Sequence, residues 1–100
     1  MEIGSAKITF VVADSRSLKT KRRFARSVTT RLQHKFSVAV AEVEHLDHWQ
    51  KLVLGVVCVS RDYGHVALIL DTVIRYLENA PLDGDISAVE TEIIRSLSFF

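Results

Sequence analysis

The chain has 100 residues, of which 48% are hydrophobic and 25% charged, which is the size and composition of one globular domain covering residues 1–100. It has no basic leader followed by a long apolar stretch, no apolar segment long enough to span a bilayer, and only one cysteine, which argues against a secreted disulfide framework. We therefore expect a cytoplasmic protein that requires no cofactor and does not act at a membrane.

The net charge of +1 conceals an uneven distribution along the chain. Residues 1–41 carry nine Lys or Arg against two acids, whereas residues 42–100 carry four against ten. This asymmetry predicts a basic surface for an anionic partner, although opposite halves of one small domain can also simply attract each other.

The first half of the chain predicts a strand, a helix and a second strand. Alternating side chains predict the first strand from about Ile3 to Val12. Apolar residues then recur with a period of 3.6 from Ser17 to Phe36, which predicts a helix. Alternation resumes from Val38 to Glu44 and predicts the second strand.

The second half predicts a strand, a helix and a final strand. The stretch from Trp49 to Ser60 is rich in branched residues on both faces, which predicts a strand in the middle of the sheet that forms a hairpin with strand two. Ser60 or Asp62 can cap a second helix that continues to Asn79. Weak alternation predicts the fourth strand over residues 85–94.

The element order βαββαβ, with right-handed crossovers, predicts an α+β fold of the ferredoxin-like type. Its sheet has four antiparallel strands, and both helices cover one face. The third strand is apolar on both sides, so one apolar side must face away from the helices. Such a face is typical of an interface, and we expect a homo-oligomer, most simply a dimer. The expected contacts are Trp49, Val53, Val57 and Phe99; the alternative is that the C-terminal tail with Phe99 and Phe100 covers this face.

Two stretches carry recognisable motifs, SRSLKTKR at residues 15–22 and AEVEHLDHWQKLVLGVVCVS at residues 41–60. They resemble the YlxP-like family of uncharacterised bacterial proteins (domain of unknown function 503), which also has a Ser-x-Asp helix start matching Ser60 and Asp62, with His65 after it. Thr20 replaces an acid usual in that family, and His48 replaces an apolar residue. The resemblance implies a ferredoxin-like fold. It also implies a partner among RNA or ribosomal particles, because genes of this family tend to lie among those for ribosome maturation and translation factors.

The run from residue 15 to residue 41 contains eight Lys or Arg and no acid. Several of these cations fall within one arc of the predicted helix, opposite its apolar stripe. Cations at a helix N-terminus oppose the helix dipole at a cost of ~0.3–1 kcal/mol each, and a bound phosphate would reverse that cost. Lys21 differs because it projects near the apolar side, where it either snorkels to solvent or reaches a buried carboxylate. The predicted RNA- or anion-binding residues are Arg16, Lys19, Lys21, Arg22, Arg23 and Arg26, and the alternative is a face that is merely solvated or paired with acids.

The open sheet face lacks the aromatic signature of single-stranded RNA readers with this fold. Binding is therefore expected to depend on backbone charge and shape, to weaken with salt, and to involve no sequence-specific reading of DNA.

Metal binding and catalysis are weaker interpretations. His45, Asp47 and His48 lie near the predicted hairpin turn, but without a third fixed ligand they are expected to be polar surface groups rather than a metal site. Small phosphatases that act on acyl phosphates share the fold, yet they need a glycine-rich phosphate loop with its arginine and a positioned asparagine. Here Arg16 follows the first strand without such a loop, and the only asparagine, Asn79, ends the second helix. We therefore expect a non-enzymatic binding module, with a protein-assembly module acting through the open face as the main alternative and a phospho-ligand-binding or phosphatase-like protein as a further one.

Overall fold

The computed structural model describes residues 1–97 and contains four strands and two helices in that range. The predicted type and order of these elements are confirmed. The elements are β1 (Glu2–Val11), α1 (Leu18–Lys35), β2 (Ala39–Glu44), β3 (Lys51–Ser60), α2 (Tyr63–Asn79) and β4 (Asp85–Arg95).

The four strands form one sheet in the order β2-β3-β1-β4, and every neighbouring pair is antiparallel. β1 pairs along its whole length with β3, so that Glu2 lies opposite Ser60 and Val11 lies opposite Lys51. On its other side β1 pairs with β4. β3 lies inside the sheet, as its two apolar sides predicted, and the fold is the expected α+β ferredoxin-like arrangement.

The hydrophobic core lies between the two helices and one face of the sheet. Alternate residues of β1 and β3 enter it, and α1 and α2 each bury one stripe against them. Gly4 allows α2 to approach β1 closely, because a Cβ at this position would overlap Val66 Cγ1. The largest completely buried side chains of the sheet in this core are Ile8, Phe10, Leu52, Leu54 and Val56.

Both helices begin at capped residues. Ser17 Oγ accepts a hydrogen bond from the Thr20 amide at 3.2 Å, and Asp62 Oδ1 accepts one from the Gly64 amide at 2.8 Å. Asp62, rather than Ser60, is therefore the cap of α2. Neither helix in residues 1–97 combines the length and the apolar character that crossing a membrane requires.

Cys58 faces the core from β3 and is almost completely buried. Burial raises the pKa of its thiol above the ordinary value, which keeps the group protonated at neutral pH. Its role is that of a small core side chain.

Candidate nucleic-acid interface

The outer side of α1 carries four cations in the arrangement that helical periodicity predicted. Their side chains are exposed, whereas Phe24 on the opposite side of the helix is buried in the core. Arg16 is also exposed and lies in the loop that precedes the helix. We call the surface formed by Lys19, Arg22, Arg23 and Arg26 the basic face.

No carboxylate of residues 1–97 forms an ion pair with the basic face or with Arg16. The first turn of α1 contains no acid. One acid of the C-terminal half, Glu42, pairs with a cation of α1, Lys21, but none of the acids that form ion pairs in this range pairs with the basic face. The observed pairs are Lys7 with Glu44 and Glu90, Lys21 with Glu42, Arg75 with Asp71, and Arg95 with Glu2.

Lys21 lies on the other side of α1 and is completely buried. Its Nζ is 2.8 Å from Glu42 Oε2 and donates hydrogen bonds to the carbonyl oxygens of His45, at 2.9 Å, and Leu46, at 3.1 Å. Lys21 thus donates two hydrogen bonds to backbone carbonyls and forms an ion pair with Glu42, whose buried Oε2 has no hydrogen-bond donor of suitable geometry within residues 1–97. Of the two alternatives for this residue, the lysine that reaches a carboxylate is correct. Lys21 is therefore separate from the basic face, and its ammonium is not accessible to an external anion.

The turn between β2 and β3, residues 45–50, is fixed to the start of α1. His45 has φ 55°, in the left-handed region, where its carbonyl accepts from Lys21. Gln50 Nε2 donates to the carbonyl of Ala13 at 3.0 Å, and the Val12 amide donates to the carbonyl of Gln50 at 2.8 Å. The AEVEHLDHWQ segment thus has a structural role, which depends largely on backbone carbonyls that sequence reasoning did not consider.

The histidines of this turn do not form a metal centre with Asp47. No group of three or more His, Cys, Asp or Glu within residues 1–97 is arranged to hold a metal ion. The His45 and His48 ring centroids are 6.3 Å apart with perpendicular rings, and His48 Nδ1 accepts a hydrogen bond from the Gln50 amide at 3.1 Å. His48 therefore helps to shape the turn.

Comparison with known proteins places this amino-acid sequence in a family. Residues 3–92 match the family described as "Protein of unknown function (DUF503)". The chain belongs to the DUF503 family. It is also 32% identical over 79 residues, which are 79% of this chain and 86% of its relative, to the "Uncharacterized protein YlxP" of Bacillus subtilis strain 168.

The region that matches DUF503 includes both the basic face and the residues that hold the turn. It also includes the start of α2, where Ser60 Oγ is 3.0 Å from His65 Nδ1 and accepts a hydrogen bond from the Asp62 amide at 3.2 Å. Within the Ser-x-Asp motif, Asp62 caps the helix, and Ser60 connects the Asp62 amide to the His65 ring.

A groove of about 730 Å³ lies beside the basic face, between α1 and the loop that enters β4. Arg23 and Arg31 line it from α1. Gly84 lets the loop approach the helix, because a Cβ there would be 2.9 Å from Phe24 Cζ. The remaining lining includes three carboxylates, so this groove suits a polyanion less well than the outer surface of α1 does; the three acids are Asp14, Asp83 and Asp85.

The open face of the sheet, the face away from the helices, is crossed by a line of charges. Lys7 Nζ is 2.8 Å from Glu44 Oε2 and 3.7 Å from Glu90 Oε1, which links β2, β1 and β4. The hydrogen bond and charge of Lys7 lower the pKa of Glu44, and the same pair raises the pKa of Lys7. We call Glu44, Lys7 and Glu90 the charge ladder.

Val53 is 1% exposed although it belongs to the open face. It lies opposite Glu44, whose side chain reaches across β3 to Lys7. The structure therefore places Val53 inside the protein, and it is not an exposed contact of the kind the sequence predicted. Farther along β3, Val57 and Val59 are 42% and 60% exposed.

The other predicted contacts do not form one patch with Val57. Trp49 is exposed on the turn before β3. Val57 is six residues beyond Lys51 on an extended strand, a distance of about 20 Å. Phe99 and Phe100 lie outside the described residues.

Proposed function

We propose that this DUF503 protein is a cytoplasmic, non-enzymatic module that binds RNA, free or within ribosomal particles, through the basic face of α1. The observation that supports the proposal is the exposure of all four cations together with the lack of any ion pair between them and residues 1–97. Phosphate contacts made by such cations release counterions and provide affinity without base recognition.

The position of the basic face at the beginning of α1 adds to this attraction. The N-terminal end of a helix carries partial positive charge, and the first turn contains no acid that would offset it. Arg16, in the loop just before the helix, extends the positive surface. RNA bound here would contact the protein through its backbone, and its affinity would fall steeply as salt is added.

The test compares two double variants that remove the same charge. Arg22→Gln with Arg26→Gln neutralises part of the basic face, whereas Lys51→Gln with Arg61→Gln neutralises two cations outside α1 that also form no ion pair within residues 1–97. Binding to total bacterial RNA and to ribosomal subunits is measured across a salt series. The α1 variant is expected to bind more weakly, with a logarithmic salt slope smaller by about 1.4–1.8, and the control variant is expected to bind like the parent.

Equal losses in the two variants would mean that binding follows net charge rather than the basic face, which contradicts the proposal. The absence of RNA binding by the parent protein at low salt would contradict it as well.

A second candidate function is assembly through the open face, as a homodimer. The supporting observation is the exposure of Val57, Val59 and Ile94 at the end of the sheet away from the turn. Val57→Asp is expected to reduce the mass measured by light scattering, whereas Leu68→Asp, at an exposed apolar position on α2, is expected to leave it unchanged. A parent protein that is monomeric at all concentrations tested would remove this candidate.

A further inference from the structure

A second groove, of about 520 Å³, lies where the last turn of α1 meets the last turns of α2. Two aromatic rings line it, Phe36 and Tyr76, whose centroids are 5.7 Å apart with an interplanar angle of 70°. Both residues are only partly buried. Part of this aromatic pair is therefore open to solvent, on the helical side of the protein rather than on the open sheet face.

The rim of this groove is cationic. Arg31, Lys35 and Arg75 line it, and no carboxylate is among its lining residues. Arg75 is paired with Asp71, whereas Arg31 and Lys35 have no ion pair within residues 1–97. Lys35 Nζ lies 5.1 Å from the centroid of the Tyr76 ring. The groove thus combines aromatic surface with two cations that remain available to an anion.

The groove adjoins the larger groove beside the basic face. Arg31 also lines the larger groove that contains Arg23, so one arginine borders both. From Arg26 to Lys35 the axis of α1 advances by about 14 Å. Nine residues also rotate the helix by about 900°, so Lys35 lies on the opposite side of α1 from Arg26, and a strand that contacts both passes around the helix by way of Arg31.

We propose that this groove binds a nucleobase of single-stranded RNA, with the adjoining phosphates held by Arg31 and Lys35. The inference rests on the RNA binding proposed above. Single-stranded nucleic acids bind proteins through grooves that combine cations with aromatic stacking surfaces. The exposed cation–π contact of Lys35 is weak, so its flexible side chain can move to a phosphate and leave the Tyr76 ring to the base. Asn79 uses its amide nitrogen to donate to the Arg75 carbonyl, which leaves its side-chain oxygen to accept from a base.

The stability of α1 explains only part of the placement of cations beside the aromatic pair. A cation in the last turn of a helix is favourable on its own, so Lys35 by itself says little about a ligand. Arg31 lies a turn earlier, and the exposed aromatic pair needs neither cation in order to pack. The combination, and the absence of acids from the lining, carry the inference.

The experiment is a nuclear magnetic resonance titration of the full chain with adenosine 5′-monophosphate, with ribose 5-phosphate as the probe that lacks a base. The base-containing probe is expected to shift resonances of Arg31, Phe36, Tyr76 and Asn79 in a saturable way. Ribose 5-phosphate is expected to bind at least about fivefold more weakly, because it cannot stack. Equal affinities for the two probes would overturn the inference.

Variants separate stacking from charge. Tyr76→Leu removes the ring but keeps an apolar side chain, and it is expected to weaken binding of adenosine 5′-monophosphate about fivefold or more, whereas Tyr76→Phe keeps the ring and is expected to retain binding. If Tyr76→Leu does not fold, Arg31→Gln with Lys35→Gln tests the phosphate contacts at exposed positions. Unchanged binding in either the folded Leu variant or this double variant would contradict the inference.

A short oligonucleotide distinguishes the two proposals. Tetra-adenylate is expected to shift both the basic face and the aromatic groove. Shifts at the basic face alone would overturn the base site while leaving RNA binding in place. Conversely, binding of the mononucleotide in the groove, with RNA affinity unchanged by Arg22→Gln and Arg26→Gln, would overturn the function proposed for the basic face and keep the base site.

Discussion

The two sides of α1 use the same kind of residue in opposite ways. On the outer side, Arg22 is exposed and has no ion pair within residues 1–97; its neighbour in sequence, Lys21, is completely buried, donates to two carbonyls and pairs with a carboxylate. One residue step, about 100° around the helix, separates a cation that binds the protein's own turn from one that is available to a partner. A run of basic residues is therefore not one functional unit.

The largest expected effect comes from breaking the buried pair. Lys21→Met leaves Glu42 without its ion-pair partner and two carbonyl oxygens without their donor, and we expect a loss of roughly 3–5 kcal/mol in the free energy of unfolding, measured with urea. Adding Glu42→Leu is expected to recover part of the loss, because a partly buried carboxylate no longer lacks its partner. A Lys21→Met protein as stable as the parent would show that the buried contacts do not stabilise the fold.

A smaller effect is expected where Lys21 contacts the turn. His45 has a positive φ, which is strained for a β-branched side chain and easy for glycine. His45→Val is therefore expected to lose roughly 1–3 kcal/mol, with His45→Gly close to the parent. Thermal unfolding of both variants measures the difference. Equal losses would instead indicate that the imidazole itself is needed.

On the outer side of α1, replacing a cation is expected to raise the free energy of unfolding rather than lower it. Lys19→Glu replaces a cation near the helix N-terminus with an acid, and it is expected to raise stability by ~0.3–1 kcal/mol. Lys35→Glu is the matched control in the last turn, where the same charge reversal is expected to lower stability. If Lys19→Glu destabilised the protein as much as Lys21→Met does, the conclusion that exposed and buried cations of α1 have opposite effects on stability would be wrong.

The smallest effect concerns the charge ladder and depends on pH. The folded pKa of Glu44 lies below its ordinary value of 4.5, so its pair with Lys7 contributes stability above that pH and loses it as the pH falls through the lowered pKa. The raised pKa of Lys7 gives a contribution that is present below 10.5 and is lost as the pH rises through the raised value. Lys7→Met is expected to flatten the decline in urea midpoint below pH 4.5, whereas Lys51→Met is expected to retain most of it, because the charge of Lys51 lowers the pKa of Glu44 less than Lys7 does. Identical acid profiles for the parent and Lys7→Met would show that the pair contributes nothing measurable.

Periodicity predicted the elements of the fold because strands and helices repeat over distances of two to four residues. It also predicted that four cations share the exposed side of α1 and that Lys21 points toward the apolar side. It did not identify Glu42 or the carbonyl of His45 as partners, since these lie more than twenty residues away and meet Lys21 only in the folded chain. The same limit applies to Phe36 and Tyr76, which are forty residues apart and lie on different helices.

Val53 illustrates a second limit. Its apolar character and its position on the open face were both predicted, but it is buried, and it lies opposite Glu44, whose side chain extends across β3 to Lys7. Alternation along one strand describes which face a residue occupies. It does not describe what the adjacent strands place above that residue.

The charge ladder also restricts how another molecule can meet the open face. A surface laid flat across all four strands would remove Lys7, Glu44 and Glu90 from water together, and desolvating ions is unfavourable unless new partners replace the solvent. The end that carries Val57 and Val59 lies beyond this ladder and has one exposed carboxylate, Glu92, which lies opposite Ser5. A molecule that binds this face near Val57 and Val59, rather than across all four strands, leaves Lys7, Glu44 and Glu90 in contact with water.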